Sequence, residues 1–338
     1  MQLLVLVFFI IFLFLVIFYG AYYVINPSQR GEDIAATLEI PYPSVIAHRG
    51  ASIVAPESTK PAYVRARESG ADYLEADLQL TADKRVVIFH DRTLQQKSNV
   101  EEVFPDREDY RVGNFTYEEL KSLDFGSWFN RKFPEKADTD FDQLKIITLE
   151  QLVEIAEDGH NNPGLMLEFK HPYDHEGLEE ITVDILNRKG WLAEKGTENL
   201  QKKQTAVNVG QGAARLIFMS FDPESLRRIK KLAPEFPRIL LITDNMITRR
   251  SWQRWLAVSK NLVDGLGAKG FMTWPWHIAA AHERGLVVFP YTINELWQIK
   301  ILSRFRADGF ITDRPEIAVN FLERPLPLLP HNNEELKD

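Results

Sequence analysis

Along most of the chain, short apolar runs alternate with longer stretches in which apolar positions recur every three or four residues. The short runs fall at Val45–Ala47, Tyr73–Leu80, Val86–Phe89, Leu165–Phe169, Leu216–Phe221, Ile239–Thr243, Val287–Ile293 and Gly309–Thr312. Helical spacing marks Glu57–Ser69, Leu149–Glu157, Leu178–Lys189, Pro223–Leu232, Arg249–Ser259, His277–Arg284, Glu295–Phe305 and Pro315–Leu322. Strands alternating with helices at this frequency predict a parallel α/β architecture. Roughly eight such units match a (β/α)8 TIM barrel in size and count. The weakest strand is expected at Gly265–Phe271, where Gly265, Gly267 and Gly270 thin the apolar content.

Two regions depart from the alternation. Leu3 to Ile25 holds no charged residue, and it exceeds the ~20 apolar residues that cross a bilayer. Tyr19, Tyr22 and Tyr23 gather at its end, where an interfacial aromatic belt would lie. No basic segment precedes the run and no A-x-A-like site follows it, so a retained anchor is expected over a cleaved signal. Arg30, Glu32 and Asp33 after the span leave the positive-inside rule undecided. Residues 92–146 are polar and acidic with scattered Phe and Trp, as in a functional insertion between barrel elements. Thr116-Tyr117-Glu118-Glu119 within it predicts a capped short helix reaching Leu123. The expected organisation is a transmembrane anchor (1–25), a Pro-rich tether (26–43), the barrel (44–322) and a fraying tail (323–338).

Composition removes some chemistry. The 338 residues carry a net charge of −8 and no cysteine. Disulfides, thiolate zinc sites and a Cys nucleophile are excluded. The acidic balance and the lack of a basic stripe argue against nucleic acid as a partner.

Polar residues interrupt the apolar runs where barrel strands would end, the face on which barrel enzymes carry their sites. His48 and Arg49 close the first run, and His90 and Asp91 close the third. Glu75 and Asp77 are two apart on one strand, as are Glu168 and Lys170, so each pair shares a face. Three carboxylates converging in a cleft repel one another unless a cation sits among them. Oxygen-only ligation suits Mg²⁺ or Ca²⁺ rather than zinc. With Arg49 and Lys170 added, the pocket would be cationic in an acidic protein and would suit a phosphate ester. Two histidines then serve general acid–base catalysis. Taken singly, each signal is also what a structural histidine or an exposed strand face produces.

At these residues the chain resembles the glycerophosphodiester phosphodiesterase family. The motifs are His48-Arg49-Gly50, Pro56-Glu57-Ser58-Thr59, Gly70-Ala71-Asp72, Glu75 with Asp77, Thr81-Ala82-Asp83, His90-Asp91, and Glu168 with Lys170. Tyr291-Thr292-Ile293-Asn294 and Ile311-Thr312-Asp313-Arg314-Pro315 resemble its last two strands. The insertion is similar to that of the periplasmic, calcium-using branch, which implies an extracytoplasmic catalytic domain. The resemblance implies a TIM barrel that hydrolyses glycerophosphodiesters to an alcohol and glycerol 3-phosphate. It implies that His48 and His90 are the acid–base pair and that Glu75, Asp77 and Glu168 hold one Ca²⁺ or Mg²⁺. It further implies that Arg49 and Lys170 contact the phosphate, that Glu57 and Asp91 support the site, and that Phe221 and Tyr291 meet the glycerol. Ser58 replaces the family's Asn, Lys84 its turn Gly, and Gln95–Ser98 an Arg-Thr-Thr-like segment. The anchor brings lysophospholipids in as alternative substrates, and a non-catalytic binding barrel is a further alternative. An amidohydrolase on the same fold would want a His-x-His first strand, which the chain lacks.

Overall fold

The computed structural model describes residues 2–159, 161–192, 215–249 and 251–324. Among the described residues, nine strands form one sheet: β1 (Ser44–Ala47), β2 (Tyr73–Leu80), β3 (Val86–Ile88), β4 (Gly164–Phe169), β5 (Leu216–Ser220), β6 (Arg238–Ile242), β7 (Gly265–Lys269), β8 (Val287–Tyr291) and β9 (Gly309–Thr312). Eight of them run in parallel in the order β8-β7-β6-β5-β4-β2-β1-β9. The amides of Ile293 and Asp308 donate to the carbonyls of Ile311 and Val288, which brings the two ends of the sheet together. The result is the expected TIM barrel.

The helices are α1 (Gln2–Ile25), α2 (Gly31–Thr37), α3 (Lys60–Glu68), α4 (Val100–Val103), α5 (Tyr117–Ser122), α6 (Ser127–Lys132) and α7 (Leu149–Glu157). They continue with α8 (Leu178–Arg188), α9 (Pro223–Leu232), α10 (Asp244–Arg249), α11 (Trp252–Ser259), α12 (Pro275–His282), α13 (Leu296–Arg304) and α14 (Pro315–Phe321). Amphipathic spacing sets which face each barrel helix buries. In α7, Leu149, Leu152, Val153 and Ala156 lie inward, and Thr148 and Gln151 close a reciprocal cap at its start.

Strand alternation decides what fills the barrel. Ile46, Tyr73, Met166, Ile217, Ile239, Val287, Phe289 and Ile311 form the lower interior cluster. Their neighbours Val45, Leu74, Leu165, Leu167, Leu240 and Val288 face the helices in a second, larger core. Each fully buried aliphatic side chain contributes about 1.5–3 kcal/mol. Continuing the inward period upward reaches His48, Glu75, Asp77, Glu168, Lys170, Phe221, Tyr291 and Asp313. The floor is therefore apolar and the upper layer polar.

Three features differ from the sequence reading. The third apolar run is not a barrel strand: β3 pairs antiparallel with β2, Leu78 opposite Ile88 and Leu80 opposite Val86. The turn from Thr81 to Arg85 permits this reversal, the Thr81 hydroxyl donating to Asp83 at 2.6 Å and accepting from the Arg85 amide at 2.9 Å. The segment 26–43 is not a free tether. Its helix α2 lies under the barrel, with Ala35 and Ile40 buried against the interior cluster. The helix after β1 begins at Lys60 rather than Glu57, because Thr59 and Pro61 define its start. The tail beyond Arg324 lies outside the described residues, but Arg324 itself pairs with Asp72 and the Pro43 carbonyl.

The insertion has a core of its own. Val87, Phe89, Leu94, Val112, Phe115, Leu120 and Leu123 pack together. The predicted cap is present: the Glu119 amide donates to Thr116 Oγ1 while the Glu119 carboxylate accepts from the Thr116 amide.

Candidate active site

Glu75, Asp77 and Glu168 stand on adjacent parallel strands in direct register, Asp77 opposite Glu168 and Glu75 opposite Met166. One ligand oxygen from each lies within 4.8 Å of the others, and all three side chains are buried. Lys170 Nζ reaches Glu168 Oε1 at 2.7 Å and Asp77 Oδ1 at 3.1 Å. Arg49 Nε approaches Asp77 Oδ2 at 3.3 Å, and its guanidinium donates to Glu57 Oε1 at 2.9 Å. Its backbone amide donates to Glu75 Oε2 at 2.8 Å. That amide is aimed inward because Arg49 takes a left-handed backbone, φ 57°, and Gly50 follows at 86°. A Cβ on Gly50 would lie 2.6 Å from the Ala62 carbonyl carbon, so the loop's passage across α3 requires glycine.

The charges are unequally compensated. Burial alone would push all three acids upward. At Asp77 the flanking Lys170 and Arg49 outweigh that and hold it well below the usual carboxylate range. At Glu75 burial, with Asp77 and Glu168 as like-charged neighbours, pushes the carboxyl far up. Glu168 is also raised, by burial and by Asp77 against the pull of Lys170. The cluster thus has more negative charge than its two cations balance. Both Asp77 oxygens are buried and accept no hydrogen bond. This donor set, with oxygen ligands only and one acid that ionises only with help, fits a hard divalent cation.

Both predicted histidines meet this cluster, and each has a carboxylate partner. His48 follows β1 directly, and its Nδ1 lies 2.7 Å from Asp313 Oδ1 at the end of β9. Asp313 is fixed by Asn294 Nδ2 at 2.6 Å and by the Ser52 hydroxyl at 3.0 Å. Burial opposes ionisation of Asp313, but the hydrogen bond and charge of His48 bring it down to about 2. His48 is itself lowered, by burial and by Arg49. His90 Nδ1 lies 2.6 Å from Asp91 Oδ1. Gln79, two positions beyond Asp77 on the inward-facing period of β2, donates to the carbonyls of Phe89 and Asp91 and so clamps this loop to the barrel.

His48, Arg49, Glu75, His90, Glu168 and Lys170 line a common pocket of about 120 Å³ with Phe221 and Tyr291 on its wall. Past His90, Lys170 and Phe221 it meets a cleft of about 860 Å³ walled by Tyr173, Met246 and Trp255. Glu57 and Asp91 do not line the pocket itself; Glu57 backs Arg49 and accepts an ion pair from Lys97 at 2.6 Å. Phe221 and Tyr291 pack edge to face at 6.3 Å, and Lys170 Nζ lies 5.6 Å from the Phe221 ring centre.

Sequence reasoning did not assign roles to Asp313, Asn294, Ser52 or Lys97. Asp313 and Asn294 do sit in the closing motifs, and Asp313 lies two positions beyond the inward-facing Ile311; that register was the available signal.

A parallel barrel whose strand ends converge buried acids, two carboxylate-backed histidines and two cations is the arrangement of a phosphate-ester hydrolase. The glycerophosphoryl diester phosphodiesterase family profile matches residues 48–317, and the chain belongs to that family. Among curated relatives, a glycerophosphodiester phosphodiesterase of Bacillus subtilis is 28% identical over 80% of this chain and 84% of its own length. Another from Caldanaerobacter subterraneus is 29% identical over 83% and 98%. A crystal structure from Silicibacter pomeroyi shares the fold with a TM-score of 0.68 and 24% identity, covering 86% of this chain and 97% of that one. An Oleispira antarctica phosphodiesterase, solved with the product sn-glycerol-3-phosphate, has a TM-score of 0.62 and 26% identity over 83% and 97%. The chain is therefore an enzyme, a phosphoric diester hydrolase of this family.

Proposed function

We propose that the protein hydrolyses glycerophosphodiesters to an alcohol and sn-glycerol 3-phosphate, with His48 and His90 sharing the proton transfers. The observation that carries this is the matched environment of the two rings. Each has Nδ1 engaged by a carboxylate, Asp313 or Asp91, which leaves Nε2 for the substrate. Both rings line the same pocket as Arg49 and Lys170. One imidazole accepts the proton of the attacking water, or of the glycerol 2-hydroxyl. The other protonates the departing alcohol as the P–O bond breaks.

Glu75, Asp77 and Glu168 would hold Ca²⁺ or Mg²⁺, which supplies positive charge toward the phosphoryl oxygens. Lys170 and Arg49 do two things in this reading. They hold Asp77 ionised, and they present their remaining N–H donors to the phosphate. Phe221 and Tyr291 bound the glycerol side and exclude water from it.

The helix α1 is read as a retained anchor, with the catalytic domain outside the cytoplasm. It is long and apolar enough to cross a bilayer. A second reading, hydrolysis of lysophospholipids, is favoured by the apolar Met246 and Trp255 walls of the cleft.

The deciding experiment assays purified protein, His48→Ala and His90→Ala on glycerophosphocholine, glycerophosphoethanolamine and lysophosphatidylcholine with Ca²⁺ or Mg²⁺. Both variants should lose turnover entirely within detection. Substantial activity in both would reject the acid–base assignment, and turnover of the lysolipid alone would select the second reading.

A further inference from the structure

An apolar stripe joins the N-terminal helix to the rim of the catalytic pocket. Tyr19 of α1 packs on Trp276 with ring centres 6.2 Å apart. Trp276 stacks on Trp274 at 5.2 Å, and Trp274 on Phe305 at 6.4 Å. Phe305, Ile301 and Trp297 then follow one another at four-residue spacing up the face of α13. Trp274 is 47% exposed, Trp297 61%, Ile301 43% and Leu296 42%. These are large side chains left in water on neighbouring helices, where single exposed residues would need no explanation.

The direction of α1 shows which end of the barrel the stripe serves. A Cβ at Gly20 would lie 3.6 Å from Trp276 Cζ3, at the start of α12. Further along the chain, Ser28 Oγ meets His282 Nδ1 at 2.8 Å, at the end of α12. The two helices therefore run the same way. In this barrel α12 descends from the strand C-termini to the start of β8. The part of α1 before Tyr19 consequently rises toward the end that carries His48, His90 and the acids. At that end Leu296 and Trp297 follow closely on Asn294, which donates to the Asp313 carboxylate beside His48.

The stripe also has the charge of a lipid contact. In a chain of net charge −8, α13 reads LWQIKILSR, and its only adjoining acid is Glu295, whose side chain caps the first turn. Its exposed Lys300 and Arg304 flank Trp297 and Ile301. Tryptophan beside lysine and arginine, with the one neighbouring carboxylate, Glu295, engaged in the helix cap, matches the headgroup layer of a bilayer containing anionic lipid.

We propose that the α12–α13 stripe is a second membrane contact, seated in the headgroup layer of the bilayer that α1 enters. It holds the rim of the substrate pocket at the lipid surface. This rests on the reading of α1 as an anchor. The barrel then does not hang on a flexible tether. The two contacts fix its tilt, and the pocket meets molecules that partition at the interface.

The absence of native cysteine allows a direct test on the full chain. Single cysteines replace Phe12, Trp297, Ile301 or Lys231, the last lying on α9 beyond β5, away from α12 and α13. Each carries an environment-sensitive fluorophore, and the protein is reconstituted in phosphatidylcholine–phosphatidylglycerol vesicles with or without brominated acyl chains. Turnover of dissolved glycerophosphocholine checks that each labelled protein is folded. Labels at 12, 297 and 301 should lose roughly half their emission or more to the brominated lipid, while the label at 231 is unaffected. Quenching at 12 with none at 297 and 301 overturns the second contact and leaves the anchor standing. An unquenched label at 12 overturns the anchor, and this inference falls with it.

Discussion

Lys170 Nζ lies 3.1 Å from Asp77 Oδ1, so a fixed cation and the proposed metal site share one carboxylate. The consequence is a partial division of labour. Lys170 and Arg49 balance Asp77, whereas Glu75 has only the Arg49 amide and guanidinium near it. Chelation with EDTA should abolish turnover without unfolding the barrel, and added Ca²⁺ or Mg²⁺ should restore it. Binding to the folded state alone should also raise the melting temperature with metal concentration. Activity indifferent to chelation would reject the carboxylate reading.

The carboxylate of Asp313 should be a positioning group acting through His48. Asp313→Asn keeps the shape but offers an amide to Nδ1, which pushes the ring toward the wrong tautomer. A fall of about 10²–10⁴-fold in kcat is expected, the range of acid–base catalysis. Asp313 also opposes the lowering of His48 by burial and Arg49. Its removal should therefore move the His48 limb of the pH–rate profile to lower pH. An unshifted profile with intact kcat would show the pair to be ornamental.

Lys84 occupies the turn between β2 and β3 at φ 61°, a conformation that costs a side-chain-bearing residue roughly 1–2 kcal/mol. Lys84→Gly should stabilise the protein by about 1 kcal/mol, since the exposed contact it loses, Nζ to the Glu176 carbonyl, contributes little. Urea titration of the two proteins gives the difference. A lower midpoint for the glycine variant would contradict the strain.

The buried ring of His175 is held neutral by its neighbours. The Leu80 amide donates to its Nδ1 at 3.4 Å, and its Nε2 faces Gln79 Oε1 at 3.1 Å. Burial brings it down from 6.5 to about 4. The folded state thus resists a proton that the unfolded chain accepts. Its contribution to stability is complete above pH 6.5 and declines as the pH falls toward 4, by at most about 3 kcal/mol. Denaturation of wild type and His175→Gln at pH 7.5 and 4.5 should show a smaller pH penalty in the variant.

The chemistry-bearing positions on the strands were readable because strand period two is strict. Once Ile46, Tyr73 and Met166 are taken as inward, His48, Glu75, Asp77, Glu168 and Lys170 must follow. The partners were not readable, because no local pattern links His48 to a residue as distant as Asp313 or Glu57 to Lys97. An apolar run also does not declare its direction, so Val86–Ile88 passed for a barrel strand until its pairing was seen. The short α2 left too few turns for a helical period. At β7, expected as the weakest strand, a Cβ on Gly265 would lie 2.5 Å from Val287 Cγ2, so the glycine that thins its apolar pattern is what lets it pack.

The seam between β1 and β9 has a temporal meaning. It joins the first barrel strand to the last, Ala47 opposite Thr312. Synthesis from the N-terminus delivers α1, His48 and the acids well before Asp313 exists. Contacts of such long sequence separation form late, because the loop between them must first be ordered. A nascent chain can thus be largely collapsed before this seam closes, and if His48 acts with Asp313 as proposed, the final strand is what switches hydrolysis on.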